Sequence, residues 1–523
     1  MKKIALLLSL VMLLTAFPAC ASDKAYVPTG DGLSDVTRPS EAPTEPEVTA
    51  PGGLNGTSSS LTLAYYPEVG FNPYKCTNIN NRMLFSLLYQ SLFVTDSEYN
   101  VEPQLCLSYT VTEDLTTYIF TLAQATYADG TALTAQDVVE SLKYAKKSDY
   151  YEGRFEHIKS ISEAEGNRVK IVTSTPMENL PILLDIPIVK SGQTELLTPQ
   201  GTGPYVAEDT AEGMVLTRRE DWWCEAQLPV AADTIRLMVG EDATHIRDEF
   251  EFGELGISTA DPGAASYAAY RCDYELWDAE TGIFLYLGCN IKSKVFSQSQ
   301  VRVALSYAID RAELLSSCYN GFGAAATLPA SPKSPYYDQK LARQITYDPE
   351  VFRQALTEAN MVGKSIRLLV NKTDSVRLQT ARKIAKMLTD CGLNVEVFEC
   401  NYTDYRAVLR DGNFDLYLGQ TKLSPNMDLT EFFKEEGSLS WGGMANANCL
   451  SLCKESLENS GNYYNLHKMV LQNGQLVPIL FRSYAVYADR GLGSTMEPSR
   501  DNVFYYSLGR TLAEAKTIIP DND

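Results

Sequence analysis

A chain of 523 residues exceeds one ordinary hydrophobic core, so two or three lobes are expected, and 45% hydrophobic with 21% charged residues is a soluble globular composition. A net charge of −21 without a basic cluster removes the counterion-release drive toward nucleic acid and excludes it as a partner. The three histidines, His157, His245 and His467, have neither H-x-H nor H-E-x-x-H spacing, which argues against a histidine-built metal site.

The chain opens with Met1-Lys2-Lys3 and the apolar run Ile4 to Leu14, the pattern of an export signal too short to span a membrane permanently. Ala16-Phe17-Pro18-Ala19-Cys20 resembles a lipobox, making Cys20 a lipidation candidate and residues 1–20 a signal peptide. Phe17 stands where an aliphatic residue is usual, and Ala19-Cys20-Ala21 also fits ordinary signal cleavage, so anchoring and plain secretion both stay open. Residues 21–58, with Pro28, Pro39, Pro43, Pro46 and Pro51 among small and acidic residues, cannot bury a core and read as a disordered tether reaching about 35 Å. The remaining cysteines are even in number but scattered. That permits disulfides without forming a framework, and free buried thiols are equally expected.

Leu61 and Leu63 begin a strand, Phe71-Asn72-Pro73 breaks it, and Met83 to Leu92 reads as an apolar helix carrying Tyr89. Between Thr117 and Lys143 the elements are plainest. Tyr118, Phe120 and Leu122 alternate as a strand, Asp129-Gly130 turns, Thr134 with Asp137 forms a variant capping box, and Val138, Leu142 and Ala145 make a helical stripe. Arg168 to Val172 is a strand, and Pro181 and Pro187 keep Leu180 to Ile188 from forming one regular helix. Gly201-Thr202-Gly203-Pro204-Tyr205 is a turn leading into extended chain, not a phosphate cradle. Further on come a strand at Ile283 to Leu287, a helical face of Val301, Ala304, Leu305, Ala308 and Ile309, and a helix capped by Asp310 with Glu313. Gly321 to Ala326 fits G-x-G-x-x-A, but it follows a helix where dinucleotide binding needs a strand. Ile366–Val370, the helix Val376–Leu388 with its Cys391-Gly392 stop, and Leu393–Val397 form a β-α-β unit. A helix at Tyr402–Leu409 and a strand at Phe414–Gly419 follow. The carboxyl ends of such parallel strands bind ligands, which points to Gly419–Lys422.

Tyr127 to Val139, Tyr-Ala-Asp-Gly-Thr-Ala-Leu-Thr-Ala-Gln-Asp-Val-Val, resembles the signature of extracellular solute-binding protein family 5, the receptors of dipeptide, oligopeptide and nickel ABC importers. Phe71-Asn72-Pro73, Pro103-Gln104-Leu105, Gly201 to Tyr205 and Val301 to Arg311 are similar to its other landmarks, in the family's order, and Asp221-Trp222-Trp223 matches one more loosely. The resemblance covers about residues 60–510. It implies a two-lobe α/β class II periplasmic-binding-protein-like fold with an inserted extra domain. Lobe I is then 59–97 plus 200–283 plus 476–523, the extra domain 98–199, and lobe II 284–475. It further implies a monomer that captures a small solute, most simply an oligopeptide, for an ABC permease, at the outer face of the cell membrane or in the periplasm, with no cofactor.

In peptide-binding relatives the segment after the last strand supplies backbone pairing and an aspartate for the peptide amine. Here it reads Gln420 to Asp428, with Lys422 nearby and no acid at the ungapped position. Asp428 serves only if the loop is rearranged, which leaves room for an anionic, blocked or non-peptide solute. Tyr89, Gln420, Lys422, Asp428, Trp441 and Arg482 are the candidate ligand residues. Tyr89 is also an ordinary core aromatic, Trp441 in a glycine-rich loop is a lid or a loop hydrophobe, and Arg482 meets a ligand carboxylate or a protein acid. A metal-chelate (nickel-type) receptor and a sensor lipoprotein are the alternatives on the same scaffold. An exported enzyme is disfavoured, since G-x-S-x-G, an ordered S-x-x-K set and a metal-binding histidine set are all missing.

Overall fold

The computed structural model describes residues 60–489, except 212, 227, 229, 231, 265, 266, 268, 269 and 273, together with 517–519. The export signal, Cys20 and the tether lie outside the described residues. The chain lays down β1 (Ser60–Tyr65) and then a separate antiparallel group, β2 (Cys106–Thr112), β3 (Thr117–Leu122), β4 (Ile158–Ala164) and β5 (Arg168–Thr173). It returns with β6 (Tyr205–Thr210), β7 (Gly213–Arg218), β8 (Thr234–Val239) and β9 (Ile257–Ala260). The long β10 (Glu275–Cys289) carries it to β11 (Gly323–Ala325), β12 (Ser365–Asn371), β13 (Asn394–Cys400) and β14 (Leu416–Lys422), and β15 (Leu476–Ala488) brings it back. A last strand, β16 (Thr517–Ile519), pairs with β2 and not with the large sheet, so the far end of the chain lies beside the extra sheet.

The large sheet runs β6-β7-β8-β1-β9-β15-β10-β14-β12-β13, with β11 also on β15. Its two halves share one connection, the antiparallel β10–β15 ribbon. The second sheet, β16-β2-β3-β5-β4, is covered by the helix α1 (Ala135–Ala145). The capping box is formed as the sequence implies: Thr134 Oγ1 accepts from Asp137 N–H at 3.4 Å, and Asp137 Oδ2 accepts from Thr134 N–H at 2.7 Å. Asp137 Oδ1 also takes the Ser191 N–H at 2.7 Å, tying the helix start to the chain that leaves the domain.

The expected helix Met83–Leu92 is broken into Ile79–Met83 and Phe85–Leu88, with strand from Gln90. Leu88 O accepts the Gly203 N–H at 3.0 Å, and Gln90 and Ser91 pair with Ile188 and Pro187, so tertiary partners take the backbone groups a longer helix would use. In the other half, β12 and β13 are parallel and joined by α2 (Ser375–Asp390), while α3 (Tyr402–Asp411) lies before β14. Asp374 accepts from Arg377 N–H and Asn401 from Asp404 N–H to cap them, and Gly412, at φ 69°, ends α3. All ten described cysteines are free, and every one but Cys272 is buried.

Two glycines decide how β10 meets β14. Tyr286 pairs with Gly419 and Gly288 with Tyr417, and each phenol ring lies across the glycine opposite, where a Cβ would overlap it. Gly419→Ala is expected to cost about 1–3 kcal/mol of stability. A urea unfolding curve with an unchanged slope and a lowered midpoint is the expected result.

Candidate functional site

The ribbon that joins the halves is bulged where it passes between them. The β10–β15 register slips between Glu280 and Ile283, and Gly282 takes φ 69°, a region open to glycine. Thr281 Oγ1 donates to Arg482 O at 2.7 Å and accepts from Ile283 N–H at 3.0 Å, while Leu423 N–H donates to Gly282 O at 3.0 Å. Three strands therefore meet at this bulge.

Arg482 lies in it and is only 8% exposed. Its Nη2 donates to both Asp261 oxygens, at 2.9 and 2.8 Å, and its Nη1 to Gln420 Oε1 at 3.1 Å. Asp374 Oδ2 stands 3.9 Å away. Burial works against the guanidinium charge, but Asp261, the Tyr319 phenol and Asp374 outweigh it and hold its pKa above the usual value. The bridge links the end of β9 to β14 and the start of α2, that is, one half of the sheet to the other. Close by, Glu280 is buried, accepting from Tyr99 Oη and from Ser331 Oγ, the latter at 2.9 Å.

A second line of contact joins 150–157, beside the extra sheet, to 422–434, beyond β14. Lys422 Nζ meets the Tyr150 hydroxyl and lies 3.7 Å from that ring's centroid, with the Arg82 guanidinium 3.3 Å from the same centroid. Arg82 is itself held by Pro73 O, Cys76 O and Tyr151 Oη at 3.0–3.2 Å. Ser424 Oγ donates to Gly153 O at 3.0 Å, and Lys434 Nζ meets Glu156 at 2.6 Å. Buried among these, His157 Nε2 stands 2.9 Å from Asp428 Oδ2, while Asp428 Oδ1 accepts the Thr430 N–H at 3.0 Å and its hydroxyl at 2.7 Å.

Two of the six sequence-predicted ligand residues have internal partners for their polar atoms. Tyr89 is 2% exposed and donates to Phe71 O and Pro199 O, pinning the Phe71-Asn72-Pro73 landmark to the segment that precedes Gly201 from within the core. Asp428 meets His157 and accepts from the Thr430 hydroxyl. Gln420, Lys422 and Arg482 are brought together at the bulge and along β14. Trp441 lies apart from them, its loop against Asn290 and Phe414, with the Arg406 guanidinium 5.1 Å from its ring. The strand also runs further than its apolar pattern: Gln420, Thr421 and Lys422 pair with Leu285, Phe284 and Ile283. On its other side β14 pairs with β12 only at Leu416 and Tyr417, leaving the edge beyond Leu418 without a partner strand among the described residues.

Sequence reasoning missed Asp261, Arg82, Tyr150, His157 and Glu280. Asp261-Pro262-Gly263 carries a turn signal, but nothing local pairs it with Arg482.

The model of the bacterial extracellular solute-binding proteins, family 5, matches residues 100–436. The glutathione-binding protein GsiB of Salmonella typhi is 25% identical over 387 residues, covering 71% of this chain and 74% of its own. Among solved structures, the periplasmic murein tripeptide-binding protein MppA, in its unliganded open form, aligns with a TM-score of 0.72 at 16% identity over 87% of this chain and 98% of that one. The oligopeptide-binding protein AppA of Bacillus subtilis, in complex with a nonapeptide, gives 0.61 at 20% identity over 86% and 98%. NikA of Brucella suis, in complex with Fe(III)-EDTA, gives 0.65 at 19% over 82% and 95%. These structural likenesses establish a two-lobe binding-protein fold.

The His157–Asp428 pair carries a pH dependence with a definite sign. Burial opposes protonation of His157, but the hydrogen bond and charge of Asp428, with Glu156 adding and Lys434 subtracting, raise its pKa. Burial likewise opposes ionisation of Asp428, and His157 and Thr430 outweigh it and lower its pKa. Cys453 and Tyr463 are the other titratable groups facing Asp428. The histidine's contribution is complete below its unfolded value of about 6.5 and is lost as pH rises through the raised folded value; the carboxylate's is lost as pH falls below about 4. Against His157→Gln, the wild type is expected to be more stable by about 1–3 kcal/mol near pH 5, with the gap closing toward pH 8. Paired thermal unfolding midpoints across that range measure it.

Proposed function

This chain belongs to the bacterial extracellular solute-binding proteins, family 5, and on that premise we propose that it is the receptor of an ABC importer, capturing a peptide-class solute between two lobes. We take 59–97, 200–283 and 476–523 as lobe I, apart from β16, which pairs with the sheet of the extra domain, 98–199 as the extra domain and 284–475 as lobe II, with the bulge at Thr281-Gly282 as the hinge. The observation that carries the peptide reading is the edge of β14 at Gly419–Thr421, which pairs with no strand on that side among the described residues and offers backbone groups to an extended ligand as an added strand. Gln420, Lys422 and Arg482 flank that edge and are the ligand-side residues we favour. We take the contacts of 150–157 with 422–434 as those of a closed arrangement, which a solute favours only through contacts it lacks when the lobes part.

Asp428 is committed to His157, so the charged end this cleft reads is not a free amine bound by that aspartate. Two cations, Arg82 and Lys422, flank Tyr150 on the seam, which favours a solute with acidic groups. GsiB, whose name records glutathione, an acidic tripeptide, sits within that reading. A metal-chelate solute is the second reading, favoured by the likeness to NikA. Cys20 is proposed as the lipid anchor, with the receptor working as a monomer on a tether at the outer face of the membrane.

Native mass spectrometry of the protein, purified without unfolding, tests the ligand class. Retained masses that fragment as short peptides are the expected result. A single non-peptide or metal-chelate mass overturns the peptide class and keeps the receptor. For the anchor, Cys20→Ser is expected to abolish incorporation of labelled fatty acid and to release the protein from the membrane fraction; unchanged labelling rules Cys20 out.

A further inference from the structure

His157 stands one residue ahead of β4, the edge strand of the extra sheet, and Asp428 lies between β14 and the short helix Thr430–Phe433. Each is anchored on its own side. His157 O accepts from Ser174 N–H at 2.8 Å and from Ser174 Oγ at 3.3 Å, while Asp428 Oδ1 takes the N–H and the hydroxyl of Thr430. The side chains then meet across the seam: His157 Nε2 is 2.9 Å from Asp428 Oδ2 and 3.3 Å from Thr430 Oγ1, with the ring 9% and the carboxylate 10% exposed. The same two sides touch again where Leu457 O accepts the Glu178 N–H and Glu178 Oε2 accepts the Ser460 N–H, both at 2.8 Å. On the lobe assignment above, parting the lobes breaks these contacts together.

Histidine is the side chain of this seam whose ordinary charge change falls between about pH 5 and 8, since carboxylates titrate near 4 and lysines and phenols near 10. The ring faces Asp428 and Glu156, which favour its protonated form, and Lys434, which opposes it and is itself paired with Glu156 and Glu431. Cys453 and Tyr463, on the helices Ala447–Glu458 and Tyr463–Asn473, also face Asp428; burial pushes both well up, so they stay neutral in that range. A protonated imidazole beside a carboxylate makes a charge-assisted bond that the neutral ring does not match, whereas water solvates both groups when the seam is parted. Closing therefore takes up a proton between the ordinary histidine value of about 6.5 and the higher value of the closed pair. The gain is complete below that window and lost above it.

We propose that His157 and Asp428 form a proton-operated latch, so that this receptor closes on its solute and holds it more tightly at about pH 5.5 than at about pH 8. The inference rests on the receptor reading, with 150–157 and 422–434 on opposite sides of the cleft. A second buried histidine does not imitate it. His467, in the helix Tyr463–Asn473, has no hydrogen-bond partner for either ring nitrogen among the described residues, and burial holds its pKa down to about 3. It costs stability as pH falls from about 6.5 toward that value. Its neighbours Tyr463 and Asp338 belong to its own lobe, however, so the cost is the same with the lobes open or closed. Closure and affinity, and not unfolding alone, read the latch.

The test compares wild type, H157Q and D428N at about pH 5.5 and about pH 8, with small-angle X-ray scattering for compactness and titration calorimetry with reduced glutathione as the probe. Wild type is expected to be the more compact at the lower pH and to bind the probe about tenfold more tightly there, and each variant to lose that difference. D428N keeps an acceptor for Thr430 and serves if H157Q unfolds. If glutathione does not bind, the change in compactness decides. Wild-type compactness and affinity that are the same at both pH values, or a difference that survives in a folded H157Q or D428N, overturns the latch and leaves the receptor standing. So does an unfolding midpoint that depends on His157 while compactness does not, which makes the pair part of the scaffold. A wild type with one set of dimensions throughout, no bound probe and no solute retained in native mass spectrometry removes the receptor reading, and the latch with it.

Discussion

The two halves of the large sheet are tied by the ion pair of a buried arginine, Arg482, with the partly exposed Asp261, placed where the two strands that join the halves among the described residues are bulged. The pair sits between the sheet halves and is shared with Gln420 and, at longer range, Asp374. Hydrogen bonds from one guanidinium nitrogen to both carboxylate oxygens are charge-assisted and directional, so they tie the halves at that point, while the bulge at Thr281-Gly282 is one of two places where the ribbon departs from regular pairing, the other lying between Leu285 and Tyr286. Stiffness and freedom of movement are thereby concentrated within a few residues of one another.

The long-range contacts divide into two kinds. The seam of 150–157 against 422–434 consists of groups that satisfy one another: His157 with Asp428 and Thr430, Lys434 with Glu156, Ser424 with Gly153. The face of β12–β14 instead carries the edge of β14 beyond Leu418, which has no partner strand among the described residues. A group already paired within the protein has little left to distinguish a bound solute from water.

The family landmarks prove to be joints of the scaffold. Phe71-Asn72-Pro73 is held to the 194–199 segment through Asn72 Nδ2 and Tyr89 Oη, and Gly203 packs on the backbone of Leu88 so tightly that a Cβ would overlap it. The signature helix is fixed by Asp137, which caps its own helix and clamps Ser191 as well. Motifs of this kind identify the fold because it cannot be built without them, and for the same reason they say little about the ligand.

Local pattern determined a great deal. Alternation in Tyr118, Phe120 and Leu122, the Thr134–Asp137 box, the parallel β-α-β unit around α2 and the two prolines in 180–188 were legible because each depends on residues within one turn or one strand of each other. The family was legible from its landmarks. The partners were not. Lys422 meets Tyr150 and His157 meets Asp428 across 272 and 271 residues, and no periodicity links such positions. Tyr89 and Asp428 were read as cleft residues because their types and places fit one, and only the folded chain shows that carbonyls of 71 and 199, and a histidine from the extra domain, already occupy their polar atoms. The sequence by itself determined which elements form and which scaffold they build; the tertiary structure alone decided which charges are spent on each other and which are left for a solute, because a charge becomes free or committed only when the chain brings its neighbours to within a few ångströms.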